Sequence, residues 1–280
     1  MWILEKPLID EALNDVTRII AESDGKLADA DGILLNRLYR TYDRQGGTIS
    51  EQQNDALGKS ARKVLYGLYD KTQEGHRLSY IRTQLFKSVD ICPMCGIQPP
   101  SQLDHQMPRS KYESLSVCRL NLVPICGVCN NKKRAKEASA FVHPYYDHEL
   151  QDLPFFVIEV HSSPVTHRMS WKFSINEQVI GSATLAEKIS TQVGVVKLFR
   201  RLYKETNHVL SHLLYGAENW SEESLNIILR HEYESYRYRL GTNDWHTVFI
   251  KALIDSPRFS LQEAKVYAQR IAPVNRGVNG

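Results

Sequence analysis

Four of the five cysteines stand in two Cys-x-x-Cys pairs, Cys92/Cys95 and Cys126/Cys129. Each such turn brings two thiolates close enough to share one metal, and two turns complete a tetrahedral all-cysteine set suited to a structural Zn2+ ion. The 30 residues between Cys95 and Cys126 exceed what a minimal zinc ribbon needs, so something is inserted between the knuckles. That insert carries Asp104-His105 and, further on, Asn121; Asn130 directly follows the last cysteine. Neighbouring side chains in an extended segment point to opposite faces. One of Asp104 and His105 can therefore hold a metal while the other meets an attacking water. Asp104 and Asn130 both offer oxygen ligands, which suit a hard divalent ion such as Mg2+. An ion held by so few protein groups keeps several waters and can take phosphate oxygens. His105 can accept the proton of a water attacking phosphorus. Cys118, among Val117, Leu120 and Leu122, reads as a small buried hydrophobe.

The charge distribution points the same way. The 280-residue chain carries a formal net charge of only +3, which does not announce a nucleic-acid binder. Between Asp104 and Lys136, however, seven basic residues meet two acidic ones. The excess positive charge thus collects where a phosphate backbone would lie. Arg109, Lys111, Lys132 and Lys133 are the candidate phosphate contacts. No N-terminal stretch pairs a basic region with an apolar run and a small-residue cleavage site. No apolar run approaches the roughly 20 residues that span a bilayer. The expectation is a cytoplasmic protein with no membrane partner, where paired Cys-x-x-Cys turns bind metal rather than form disulfides.

From Ile91 to Lys133 the chain resembles the HNH endonucleases, over roughly a sixth of its length. The resemblance rests on Cys92/Cys95, Asp104-His105 with Pro108, Asn121-Leu122, Cys126/Cys129, Asn130 and Lys133. It implies a ββα-metal core in which His105 is the general base and Asp104 a metal ligand. Asn121 is implied to brace the loop that aims His105. Asn130 takes the last motif position, often a His, and as an H-N-N variant it is implied to ligate the catalytic ion, Mg2+ or Mn2+. The function implied is metal-dependent hydrolysis of DNA phosphodiester bonds, by nicking or double-strand cleavage. A small chain with helical flanks and no recognisable sequence-reading module suggests an effector in anti-phage defence, docked to an NTPase or sensor protein. That last step is analogy at the level of the fold. The competing reading is a zinc-stabilised nucleic-acid-binding or protein-docking module, which would have no need of the Asp-His pair.

The surrounding sequence is expected to position this core. Apolar residues recur at helical spacing over 8–22, 28–42 and 78–89. Thr48 or Ser50 can cap a further helix with Leu57, Ala61, Leu65 and Leu68 on one face. After Asn130 a short helix is expected over 134–141, then a structural turn at His143-Pro144-Tyr145-Tyr146-Asp147. The segments 155–160 and 169–175 are β-branched and aromatic and read as strands. A long helical pattern follows over 184–214, breakable at Gly194. Helices over 221–240, 245–254 and 261–271 complete the chain. His208 and His212 stand four apart, with no acidic neighbour that would make them a metal site. The fold class expected is mainly α with a small α+β core. Its parts are an N-terminal helical region (1–88), the ββα-metal module (89–150) and a C-terminal region of short strands then helices (151–280).

Overall fold

The computed structural model describes residues 2–87, 89–134 and 140–271. It divides into two units: Met1–Leu150 with Ser182–Val196, and Gln151–Gly181 with Lys197–Gly280. The architecture is mainly helical, with two separate two-stranded sheets among the described residues.

In the first unit, helix α1 (Ile9–Ala21) buries Ala12, Val16 and Ile19, and α2 (Asp29–Arg44) buries Leu35, Leu38, Tyr39 and Tyr42. Those spacings put each set on one helix face. The single helix expected after Gly47 is instead two. Ser50 caps the short α3 (Glu51–Asp55) with a capping box, its Oγ accepting from Gln53 N–H at 3.2 Å and Gln53 Oε1 accepting from Ser50 N–H at 2.7 Å. The chain then restarts at Gly58 as α4 (Lys59–Leu68). Next comes α5 (Ser79–Phe86). Strands β1 (Gln102–His105) and β2 (Leu122–Ile125) pair antiparallel, with His105 opposite Leu122 and Asp104 opposite Val123. Helix α6 (Gly127–Lys133) follows and completes the ββα arrangement that the resemblance implied. The helix expected over 134–141 falls largely on residues outside those described.

No boundary separates residues 1–88 from the ββα module. One buried cluster runs from Ala12 through Leu65 and Leu85 to Leu103 and Leu122. The guanidinium of Arg119 also reaches back to α1. Its Nε and Nη2 donate to the two carboxylate oxygens of Asp15 at 2.6 and 2.8 Å, with both residues buried. Removing Arg119 would leave the buried Asp15 carboxylate uncompensated, and the N-terminal helices are part of the same unit as the module.

The long pattern over 184–214 breaks at Lys197, which adopts φ +52°, and not at Gly194. Its first half, α7 (Ala183–Val196), belongs to the first unit. The expected single C-terminal region is therefore interrupted. In the second unit, β3 (Phe156–Ser162) and β4 (Met169–Ile175) form a hairpin. Phe156, Ile158 and Val160 are buried with Trp171 and Phe173 on alternating positions. The remaining helices are α8 (Leu198–Leu213), α9 (Glu222–Leu240), α10 (Trp245–Asp255) and α11 (Leu261–Ile271). Ser221 caps α9 by accepting from Ser224 N–H at 3.1 Å, and Gly241 ends it at φ +85°. Among the described residues no helix is long and apolar enough to cross a membrane.

Candidate active site

The two knuckles close around one point. Gly96, at φ +61°, lets the first turn fold back, and its N–H donates to Cys92 O at 2.8 Å. Cys126 stands at the start of α6 and Cys129 in its first turn. The four Sγ atoms all lie within 4.8 Å of one another, in buried surroundings. Cys95 and Cys126 are 3.9 Å apart at sulfur and are not disulfide-bonded. Zinc–sulfur bonds of about 2.3 Å in a tetrahedron set the sulfurs roughly 3.8 Å apart, so the cluster fits Zn2+. The thiols perturb one another strongly. Hydrogen bonding from Cys129 pulls Cys126 far down, while sharing a proton with Cys126 pushes Cys92 far up. Four such thiols cannot all ionise in a buried space without a cation. No other group of three or more His, Cys, Asp or Glu ligand atoms among the described residues is close enough to share an ion, and His208 and His212 form none.

The pleat of β1 divides the neighbouring chemistry between two faces. Asp104 and Gln102 face α6. The ammonium of Lys133 is ion-paired with Asp104 Oδ2 and donates to the His105 carbonyl at 2.9 Å. Asn130 Nδ2 donates to Gln102 Oε1 at 2.7 Å, which brings the Asn130 side chain to this same face. Burial pushes the Asp104 carboxyl above its ordinary value, and the charge and hydrogen bond of Lys133 pull against that. Asp104 keeps 8% of its surface exposed. A carboxylate and an amide oxygen are donor types that suit a hard divalent ion.

His105 points the other way. Its ring packs on that of Tyr69, with centroids 4.5 Å apart, and Tyr69 Oη–H donates to Leu103 O at 2.7 Å. His105 Nε2 lies 2.8 Å from the Ser116 carbonyl. A carbonyl can only accept, so Nε2 carries the proton and Nδ1 keeps its lone pair. Burial pushes the imidazole down to about 3, helped by the charges of Arg109 and Lys133. The ring is thus neutral with a bare Nδ1.

Asn121, completely buried, ties both ends of that arrangement together. Its Oδ1 accepts from Met107 N–H at 2.7 Å, and its Nδ2 donates to Met107 O at 3.1 Å and Leu115 O at 3.3 Å. Met107 is two residues past the imidazole, and Leu115 directly precedes its acceptor Ser116.

The basic residues behave differently from one another. Lys133, expected among the phosphate contacts, is 1% exposed and neutralises Asp104, which removes it from the basic surface. The guanidinium of Arg109 stacks on Tyr66 and Tyr69, 4.0 and 4.7 Å from their ring centroids, with Asp70 3.6 Å away. Lys111 pairs with Glu51 at 2.9 Å. Lys132 is half-buried on α6. Ser116, Tyr69 and Tyr42 escape a reading of the motif alone. Tyr42 shows only as one member of a helical apolar stripe.

Comparison with known proteins relates part of the chain to one family. Residues 92–136 match the HNH endonuclease family. The chain is 33% identical over 119 residues to Protein ea31 of Escherichia phage lambda, a match covering 39% of this chain and 40% of the phage protein. The chain thus spans less than half the length of that relative. No solved structure matches.

Proposed function

Since residues 92–136 carry an HNH endonuclease domain, we propose that this protein is a metal-dependent nuclease hydrolysing DNA phosphodiester bonds. The observation that carries the reading is the His105 imidazole. Ser116 fixes its Nε2 proton and leaves Nδ1 bare, as a general base requires. Nδ1 takes the proton of the attacking water. Asn121 holds the backbone on either side of the base. Asp104 and Asn130 would hold the divalent ion, which would polarise the phosphate and stabilise the leaving oxygen. Arg109, held against the rings of Tyr66 and Tyr69, and Lys111 and Lys132 would meet flanking phosphates. The zinc site of the four clustered cysteines would hold the hairpin to α6. An effector role in anti-phage defence, with an NTPase or sensor partner, extends this reading.

The test is cleavage of supercoiled plasmid, linear DNA and RNA with Mg2+ or Mn2+. His105→Ala should lower the rate by about 10²–10⁴-fold, the usual worth of a positioned base. Wild-type protein that leaves every substrate intact with either metal, alone and with the products of its neighbouring genes, would refute the reading.

A further inference from the structure

Asn121 is itself held by groups outside the matched segment. Tyr42, on α2, donates its Oη–H to Asn121 Oδ1 at 3.1 Å. The same hydroxyl lies 3.0 Å from His143 Nε2. The Tyr42 proton is committed to Asn121, whose Oδ1 can only accept, so His143 Nε2–H is the donor to Tyr42. His143 Nδ1 is then an acceptor, and Tyr145 N–H reaches it at 3.3 Å. The directions of all three bonds agree with one neutral tautomer. Burial drives His143 well below its ordinary value, which matches.

His143 has little freedom of its own. Its N–H donates to Asp147 Oδ2 at 2.7 Å, and Lys188 on α7 holds both oxygens of Asp147 at 2.8 and 2.9 Å. Its ring lies edge-on to Tyr146, with centroids 4.6 Å apart. Gly47 closes over that ring at φ +83°. A Cβ there would stand 2.5 Å from His143 Cδ2 and 2.6 Å from Tyr146 Cδ2, so only glycine admits this approach. Tyr42 and His143 are 0% and 4% exposed, and a side chain lost from such a network leaves its partner unsatisfied.

We propose that Tyr42 and His143 are positioning residues for the nuclease centre, acting through Asn121 on the backbone that carries His105 and its acceptor. The inference rests on the hydrolytic reading for its kinetic consequence, but not for its structural one. The bonds to Met107 and Leu115 already decide which end of the Asn121 amide is the acceptor, because a flipped amide would set donor against donor at Met107 N–H. The Tyr42 hydroxyl adds a donor that only Oδ1 can satisfy. It thereby restrains where the Oδ1 that meets Met107 N–H can sit, and so the path of the chain leaving β1. The turn at 143–147 gains a role in this way. It orients the brace.

The experiment compares Tyr42→Phe, His143→Leu and His143→Gln in the full chain, reading steady-state cleavage and hydrogen exchange at the Met107 amide. Tyr42→Phe and His143→Leu should lower kcat about tenfold with KM within about twofold, since displaced reacting groups lose rate more than binding. Met107 exchange should quicken by about tenfold in both, as one bond of a buried network is lost. Amides of α1 should keep their protection. His143→Gln, whose amide can still donate to Tyr42, should restore most of both readouts. Wild-type kcat and wild-type Met107 exchange in Tyr42→Phe would overturn the proposal. So would an equal loss of protection throughout the first unit, because that marks a stability effect alone. A wild-type protein that cleaves nothing defeats the hydrolytic reading, and Met107 exchange then decides the brace by itself.

Discussion

Lys133 and Asp104 form an ion pair inside the protein, across the face where β1 meets α6. The ammonium is 1% exposed. Its stem lies near Phe141, with Nζ 5.5 Å from the ring centroid. A cation three residues after Asn130 thus supplies a fixed counter-charge to the candidate metal ligand. It also donates to the carbonyl of His105, so one side chain restrains both members of the Asp-His pair from the side opposite the imidazole.

Removing that cation should be costly. Lys133→Met keeps the apolar stem and leaves the Asp104 carboxylate buried without its partner. Breaking a buried pair in this way costs about 3–5 kcal/mol. Asp104→Asn combined with Lys133→Met should recover much of the loss, because no charge is then left alone. Urea unfolding of wild type and the two variants gives the comparison. If Lys133→Met matched wild type in midpoint and slope, the pair would not be buried in solution.

The cluster of Cys92, Cys95, Cys126 and Cys129 should hold about one zinc ion per chain by elemental analysis. Cys129 and Asn130 are adjacent, and Asn130 N–H donates to Cys126 O at 3.0 Å. The structural site and the proposed catalytic ligand therefore share one turn of α6. Cys126→Ser should lower zinc content and destabilise the hairpin–helix junction, and cleavage should fall with it even when Mg2+ is saturating. A folded, zinc-free wild-type preparation would remove the zinc assignment.

Much of this site was legible in the sequence because its determinants are local. A Cys-x-x-Cys turn, an Asp-His pair and an Asn beside a cysteine declare themselves by residue type and spacing. The alternation that sends Asp104 toward α6 and His105 toward Tyr69 follows from the pleat alone. What could not be read depends on distant or anonymous partners. The acceptor for His105 is a main-chain carbonyl, which any residue at position 116 would supply. Tyr42 lies 79 positions before Asn121, and its place in a helical stripe resembles ordinary core. Lys133 reads as a phosphate contact beside Lys132, yet one step along α6 turns it inward. The helical pattern also runs through 184–214 without a break in hydrophobic spacing. Nothing in it marked Lys197 as the point where one unit gives way to the other.

The last prediction concerns acid stability. Burial holds the His143 imidazole well below its ordinary value, and the charges of Lys133, Lys188 and His148 act in the same direction. The carboxylate facing it from its own turn, Asp147, is engaged by Lys188. In the unfolded chain His143 should titrate near the model-peptide value of about 6.5. Between that pH and the depressed folded value, only the unfolded state binds the proton. Stability from this group is then complete above about pH 6.5 and is lost progressively as pH falls toward the folded value, with a slope of at most about 1.4 kcal/mol per pH unit. His105, pushed down to about 3, adds a slope of the same sign, so wild type alone does not isolate His143. His143→Gln does, because its amide keeps the bond to Tyr42 and takes up no proton. Denaturant unfolding at pH 7.5, 6.5 and 5.5 should show the variant less stable than wild type at the highest pH, with the gap narrowing or reversing at the lowest. A gap that stays constant across that range would mean that His143 is not buried as a neutral ring.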